Sequence, residues 1–453
     1  MRSSDLDPED PRDASGFPPD HHFSQRCSTP EGRRASVKIL RLACFKIARG
    51  SAQPNPASIG SALAAATRGP RSCRACMSTC AGLEKRPGRI ACIQLDSKHA
   101  DVARNVDTAL RLAAGLIADR FADPVDLVVL PELALTGYVF ESREELDPLL
   151  EDASTFSAPR PISRPAPSSD VSAFISACRS SCVGSDHPSL NLAAHVAQQL
   201  QCHVVIGFPE RGSSDHDQAI RAAAAGATAV SAPFDARPIE HRAEPRAIDD
   251  RAAYNSAALI APDGSLLHVF RKHFLFETDE KWAVQGSGFQ ALHLPALGTV
   301  CVAICMDLNP FRFTAPFEDY ELASFCVEHD VDLLVMPMAW LAPSDERHQL
   351  ESDQAAAPLQ PSLSTINYWA LRCKPFFQPP KPSVSPSVPL SELGEVRLHK
   401  QRYLITANRV GRERDSIFGG SSCVLQMKPH ERPLLIECLN SAEEACLVTT
   451  LPR

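Results

Sequence analysis

Along residues 89–95 (RIACIQL) apolar and polar side chains alternate, the period of a strand with one face turned to a core. The period then changes: between 100 and 120, Val102, Val106, Ala109, Leu110, Ala113 and Leu116 recur at helical spacing. Residues 126–130 (DLVVL) follow as an apolar run ending at Pro131 and Glu132, which is how a strand covered on both faces reads. Strand, helix and covered strand in succession predict an α/β protein whose sheet is covered by helices. The same elements return further along. Leu192, Val196 and Leu200 mark an amphipathic helix over 190–200, leading into a strand at 203–208. Segments 254–261 and 265–271 predict a hairpin about Pro262, Asp263 and Gly264, with Lys272 directly after it. In 299–310 (TVCVAICMDLNP), Val300, Val302 and Ile304 fit a pleated, buried strand that stops at Cys305, and Pro310 marks the exit. Pro316 is expected to open a helix with Leu322, Phe325 and Cys326 facing inward. Strands at 331–336, 403–408 and 421–427 are the last ordered pieces the pattern predicts, the final two flanking a glycine-bearing loop at 409–420.

Four stretches break this pattern and read as insertions in one domain over 87–453. They are 149–188, rich in Pro, Ser and Ala; 211–251, poor in large apolar residues; and the polar or proline-rich 342–361 and 378–400. Composition agrees, since 38 prolines against 21 glycines imply long irregular segments within a chain whose 44% hydrophobic content is otherwise globular. Residues 1–86 carry no sustained core pattern. They are acidic up to Glu31 and then lack any Asp or Glu from Gly32 to Cys80, while Arg and Lys accumulate. That basic, Ser- and Ala-rich stretch resembles an organelle transit peptide placed behind an acidic start; a disordered tail, or a true start near Met77, are the alternatives. The expected compartment is the cytoplasm, with the mitochondrion as a second one. A net charge of −8 offers no basic footprint for nucleic acid, and no apolar run approaches a membrane span. Sixteen unevenly spaced cysteines, several within expected strands, favour reduced thiols. Cys73, Cys76 and Cys80 lack a partnering histidine nearby, and no metal is expected.

Glu132, Lys272 and Cys305 each stand at a strand end, where a side chain is held rigidly yet stays reachable from the crevice above the sheet. Singly, each has a bland reading: a lone cysteine is more often packed in a core, and a Glu–Lys pair is more often a salt bridge. Together they make chemistry. A thiol acting near neutral pH needs a base to take its proton and an ammonium to favour thiolate. The same lysine, with the backbone N–H of Met306, would stabilise the oxyanion formed when the thiolate attacks an amide.

The blocks PELALTGY (131–138), FRKHFLFETDEKW (270–282) and ICMDLNPF (304–311) resemble, in their order, three blocks of the carbon–nitrogen hydrolase (nitrilase) superfamily. MPMAW (336–340) and NRVGRERDSIFGGSS (408–422) add to the likeness, which covers most of 89–427. The resemblance implies a four-layer α-β-β-α sandwich of the nitrilase type, two mixed sheets covered by helices. It further implies Glu132 as general base, Lys272 as oxyanion-stabilising lysine, Cys305 as nucleophile and Glu280 as the second glutamate that positions substrate and lysine, with no cofactor. Within the superfamily, CMDLNPFRFTAPFE, RKHFLFETDEKW, MPMAWL and NYWALRCKPF look like the fungal protein N-terminal amidases. These hydrolyse the side-chain amide of an N-terminal Asn or Gln to Asp or Glu and ammonia, feeding the arginine branch of N-degron proteolysis. The implied partners are proteins or peptides with a free N-terminal Asn or Gln. Their α-ammonium calls for a carboxylate, and Asp307, with Asn309 beside it, is the expected reader; the alternative is that Asp307 fixes the turn carrying the nucleophile. Leu308, Asn309, Pro310 and Phe311 replace the Arg-Phe-Pro-Glu-like run of plain amidases and nitrilases, beside the nucleophile. The rival readings are a small-molecule amidase, ω-amidase or nitrilase with the same residues, and a catalytically silent protein whose proline-rich loops bind partners. Asn against Gln preference and oligomeric state are left open.

Overall fold

The alternation in β1 (Arg89–Gln94) sorts its side chains between two cores, Ile90 and Cys92 on one face and Ala91 and Ile93 on the other. The computed structural model describes residues 88–119, 124–163, 171–212, 229–230, 252–351, 360–378 and 400–452, within a unit spanning Leu83–Arg453. After β1 come α1 (Val102–Asp119), β2 (Leu127–Val129), α2 (Arg143–Leu146), α3 (Ser172–Cys182), α4 (Pro188–Leu200), β3 (His203–Arg211) and the two-residue β4 (Ala229–Val230). The hairpin β5 (Ala253–Ile260) and β6 (Leu266–Arg271) leads to α5 (Glu277–Glu280), β7 (Ala291–Leu294) and β8 (Gly298–Val302). Then follow α6 (Glu321–Glu328), β9 (Leu333–Pro337), α7 (Ser344–Glu351), α8 (Leu363–Arg372) and β10 (Arg402–Ala407). The chain closes with the ribbon β11 (Val410–Glu413) and β12 (Ser416–Gly419), β13 (Cys423–Met427), β14 (Leu434–Cys438) and β15 (Ala445–Thr450).

Two mixed sheets result. One has the order β15-β1-β2-β3-β5-β6, with β1, β2 and β3 parallel; the other has β14-β13-β10-β9-β8-β7-β4, with β8, β9 and β10 parallel. Ile90, Cys92, Leu127 and Val129 from the first sheet pack with Val300, Val302, Leu333 and Val335 from the second, so the sheets lie face to face. The outer face of the first sheet is closed by α1, α3 and α4 through Leu110, Cys178 and Val196, and α6 and α8 bring Phe325 and Trp369 to the second. The parallel strands are covered on both faces, which explains their nearly unbroken apolar sequence. The architecture is the α-β-β-α sandwich the resemblance implies.

Three local expectations change. Pro316 opens only a short 3₁₀ turn, because Tyr320 takes φ 45° and breaks the chain's path; α6 begins after it, at Glu321. Strands β14 and β15 lie beyond the last ordered piece the pattern predicted. They are edge strands whose half-exposed side chains carry little alternation, and β15 adds to the sheet beside β1. Within 149–188, α3 joins the helical layer by burying Phe174, Cys178 and Cys182 against α1 and α4. The tail 1–86 and its cysteine array lie outside the described residues. Among the described residues the cysteines are free thiols, no helix is long and apolar enough to cross a membrane, and no group of three or more His, Cys, Asp or Glu side chains could hold a metal ion.

Candidate active site

Three chain reversals, each just past a strand end, meet at one buried point. The first follows β2 and carries Glu132. It is pressed so closely on β3 that a Cβ at Gly207 would lie 2.6 Å from Glu132 Cα, so only glycine admits the turn there. Gly207 N–H donates to Pro131 O (3.1 Å), and Ala134 N–H donates to Gly207 O (3.0 Å). The second reversal extends the β5–β6 ladder by one bond, Lys272 N–H to Asn255 O (2.8 Å). The third is the 3₁₀ turn Cys305–Leu308 after β8, where Cys305 takes φ 43°. A side-chain-bearing residue held left-handed is strained, and here the strain sits on the thiol that the sequence singles out.

Asp307 holds the second and third reversals together. Its carboxylate accepts from Ile304 N (2.8 Å), His273 N (2.9 Å) and Phe274 N (2.7 Å), so one buried side chain bonds the cysteine turn to the chain leaving Lys272. Burial pushes its pKa up to about 6, with the three N–H donors opposing. Backbone N–H groups thus occupy three of its acceptor positions, which is the geometry of the alternative in which Asp307 fixes the turn carrying Cys305. Asn309 is similarly committed. It is buried, accepts from Tyr368 OH (2.7 Å), and its Nδ2 lies 3.3 Å from Met306 Sδ. Met306 follows the thiol in the first turn of the 3₁₀ segment, where backbone N–H groups have no acceptor within the turn.

At the centre is Lys272, its side chain fully buried. Nζ donates to Glu132 Oε1 (2.6 Å) and, over a very short distance, to Asp279 Oδ2. Asn255 Nδ2 donates to both carboxylates, Glu132 Oε1 at 2.7 Å and Asp279 Oδ1 at 2.9 Å. Ala339 N–H, at the exit of β9, donates to Glu132 Oε2 (2.8 Å) and also faces the Cys305 thiol. Tyr138 OH donates to Asp279 (3.3 Å), and its ring stands 5.5 Å from Lys272 Nζ. The loop bearing Tyr138 is held by Glu413 of β11, which accepts from Tyr138 N and Val139 N and pairs with Arg409 (2.8 Å) and His99 (2.7 Å).

Glu280 is not brought to this point. The carboxylate beside the lysine is Asp279, one residue earlier, while the Glu280 side chain is 49% exposed and lies 4.0 Å from Arg312. The reason is helical: adjacent residues of α5 point about 100° apart, so a site that takes position 279 turns position 280 to solvent. Asp279, Asn255 and Tyr138 are the residues the sequence reading missed. Asn255 carried a usable signal, an amide side chain beside Ser256 in a strand that is otherwise Ala, Tyr, Leu and Ile, and Asp279 could have been weighed with its neighbour in TDE.

The electrostatics follow from one cation among acids in a dry place. Burial raises the Glu132 pKa, Lys272 opposes this, and Asp279 adds to it. For Lys272, burial works against the charge, but Asp279 and Glu132 more than reverse this and hold its pKa above the usual ammonium range. Burial, then the charge of Glu132, lifts the Cys305 thiol well above its ordinary value, against the pull of Lys272. The raised thiol beside the Lys272 ammonium can give its proton to Glu132, and the ammonium places positive charge beside a reacting carbonyl.

The run after Cys305 is anchored by α8. Arg372 is 1% exposed; it donates to Leu308 O (2.7 Å), Phe317 O and Glu321 Oε2 (2.9 Å), and Glu321 Oε1 accepts from Phe311 N (3.0 Å). Removing one partner of a buried pair leaves the other unpaired, so Arg372→Ala is expected to cost about 3–5 kcal/mol, read as a lowered urea midpoint with an unchanged slope.

Residues 89–309 match the family described as carbon-nitrogen hydrolase. Among curated proteins, the protein N-terminal amidase of Schizosaccharomyces pombe is 28% identical over 378 residues, covering 81% of this chain and 100% of that protein. The protein N-terminal amidase of Saccharomyces cerevisiae is 26% identical over 236 residues, covering 48% of this chain and 36% of that protein. Two solved structures, N-terminal amidase with an Asn-Glu-Ala peptide and with a Gln-Val peptide, each superpose with a TM-score of 0.56 at 19% identity, over 81% of this chain and 98% of that one. They share the fold.

Proposed function

We propose that this chain, whose residues 89–309 match the carbon-nitrogen hydrolase family, deamidates the side chain of an N-terminal Asn or Gln on a protein or peptide. The observation that carries the reading is the buried cluster in which the Lys272 ammonium is shared by the Glu132 and Asp279 carboxylates beside the Cys305 thiol, with Glu132, Lys272 and Cys305 arriving from three separate strand ends. The names of the relatives supply the substrate class.

Cys305 Sγ attacks the carboxamide carbon while its proton passes to Glu132. The oxyanion is stabilised by Lys272 Nζ and Met306 N–H, in a site where water is excluded. Glu132 returns the proton to the amide nitrogen, the C–N bond breaks, and ammonia leaves a thioester on Cys305. Water then gives a proton to Glu132 and attacks the thioester, releasing the side-chain carboxylic acid and restoring the thiol. An N-terminal Asp or Glu is the product that the arginine branch of N-degron proteolysis takes up.

The test is ammonia release by the purified chain from four compounds: a peptide with N-terminal Asn, its N-acetylated form, free glutamine and a simple nitrile. Release from the free peptide, with at least a 100-fold lower kcat/KM for the acetylated one, is the expected result. Equal turnover of the acetylated peptide, or turnover confined to glutamine or the nitrile, overturns the reading in favour of a small-molecule amidase or nitrilase.

A further inference from the structure

Asn255 belongs to neither the base, the lysine nor the thiol, yet it sits at the centre of the cluster. It is fully buried on β5, and its amide nitrogen touches both carboxylates that share Lys272, closing a ring Lys272–Glu132–Asn255–Asp279. Its side-chain oxygen, Oδ1, has no hydrogen-bond partner among the described residues. An orphaned buried acceptor is costly and would not be kept for packing alone. The orientation is dictated by chemistry, because the flipped amide would set an oxygen against two carboxylates. Both amide hydrogens are therefore used, one for each acid, with no charge added. Lys272 has three N–H donors and gives two of them to the same carboxylates.

We propose that Asn255 is a positioning residue, which holds Glu132 and Asp279 in place around Lys272 so that the lysine's third N–H stays available to the reacting carbonyl. This rests on the deamidase reading for the identity of that carbonyl. Without the two Asn255 donors, Glu132 would keep only Lys272 and Ala339 N–H, and Asp279 only Lys272, Tyr138 OH and Phe276 N–H, and each acid would be drawn further over the ammonium. The groups facing Glu132 are Lys272 after β6, Asp279 on α5, Cys305 on the 3₁₀ turn, Tyr138 on its own loop and Asn255 on β5. Only Asn255 is a neutral donor to both acids.

Asn255→Asp keeps the shape and replaces two donors by acceptors, leaving three carboxylates around one ammonium. The added negative charge raises the pKa of Glu132, so the base is protonated to higher pH and the acid limb of kcat/KM moves up. It also raises the thiol, so alkylation of Cys305 moves up the pH scale as well. Alkylation by iodoacetamide, followed by mass spectrometry of the Cys305 peptide from pH 5 to 10, needs no substrate. The expected shift is at least one pH unit, with the acid limb of kcat/KM for the Asn peptide moving the same way and kcat falling more than KM rises. Asn255→Ser, which retains one donor and adds no charge, is expected to show a smaller shift in the same direction and serves if the aspartate variant does not fold. Profiles of a folded variant that superimpose on the wild type overturn the proposal. A wild type that alkylates with the expected dependence but releases no ammonia sinks the deamidase reading and leaves the alkylation arm standing.

Discussion

Cys305→Ala is expected to release no ammonia from an Asn-initiated peptide, with kcat/KM reduced by about 10⁴-fold or more, while melting within a few degrees of the wild type. The two halves of this result have separate causes. Chemically, no other group in the cluster can bond to the amide carbon and later be released by water: Glu132 and Asp279 are hydrogen-bonded to Lys272 and Asn255, and Tyr138 OH is turned to Asp279. Structurally, one sulfur atom leaves a turn that is held by other residues. Asp307 still accepts its three backbone N–H groups, and Asn309 N–H still donates to Met306 O (2.9 Å). Mass spectrometry of the wild type mixed with substrate should show an acyl adduct on the peptide containing Cys305, absent from the variant. Retained turnover would remove the thiol from the mechanism altogether.

Lys272→Met is expected to damage both activity and fold. Lost oxyanion stabilisation alone lowers kcat by about 10²–10³-fold. The larger structural effect arises because Glu132 and Asp279 remain buried with only Asn255, Tyr138 OH and backbone N–H groups as partners, a cost of about 3–5 kcal/mol at neutral pH. Its pH dependence has a definite sign. With the ammonium gone, the largest opposition to the burial that raises Glu132 is lost and only the Asn255 hydrogen bond and backbone N–H remain against it, so a carboxyl pKa in the folded variant lies above its unfolded value. A raised carboxyl pKa contributes stability that is present below the unfolded value, near 4.5, and is lost as pH rises through the folded one. The stability deficit of Lys272→Met should therefore shrink as pH falls from 7 toward 5, measured as the difference in urea midpoint from the wild type. A deficit that is constant over that range would mean that the carboxylates had found other partners.

The placement of Asp307 and Glu280 shows where reading along the chain stops being sufficient. A strand end locates a residue well, because the ladder of hydrogen bonds that makes the strand also sets the position of its last side chain; Glu132, Lys272 and Cys305 were all legible in this way. A residue one or two positions further on is set by the turn, and turns are decided by contacts from elsewhere. Asp307 points to His273 and Phe274, 33 or 34 residues earlier, which no local pattern encodes. Glu280 and Asp279 differ by one step of a four-residue helix, too short for periodicity to tell the inner position from the outer. Edge strands β14 and β15 were missed for a related reason, as half-exposed strands lack the alternation that marks a buried face.

What the sequence by itself determined is the set of strands and helices that bury their faces, and hence an α/β protein whose sheet is covered by helices, because hydrophobic period is a local property that survives in any context; the division into two sheets came from the resemblance of its motifs. It also singled out Cys305, Lys272 and Glu132, since each stands where a buried strand runs out. Only the tertiary structure decided how those three are joined: that Asp279 and not Glu280 shares the lysine, that Asn255 bridges the two acids, and that Asp307 bonds the turn carrying Cys305 to the chain leaving Lys272. Those are contacts between segments 24 to 140 residues apart in most cases, made by single hydrogen bonds in a dry interior. Their partners are chosen by the closing of the two sheets on each other, which brings the strand ends together and leaves each buried charge only one arrangement in which it is paired.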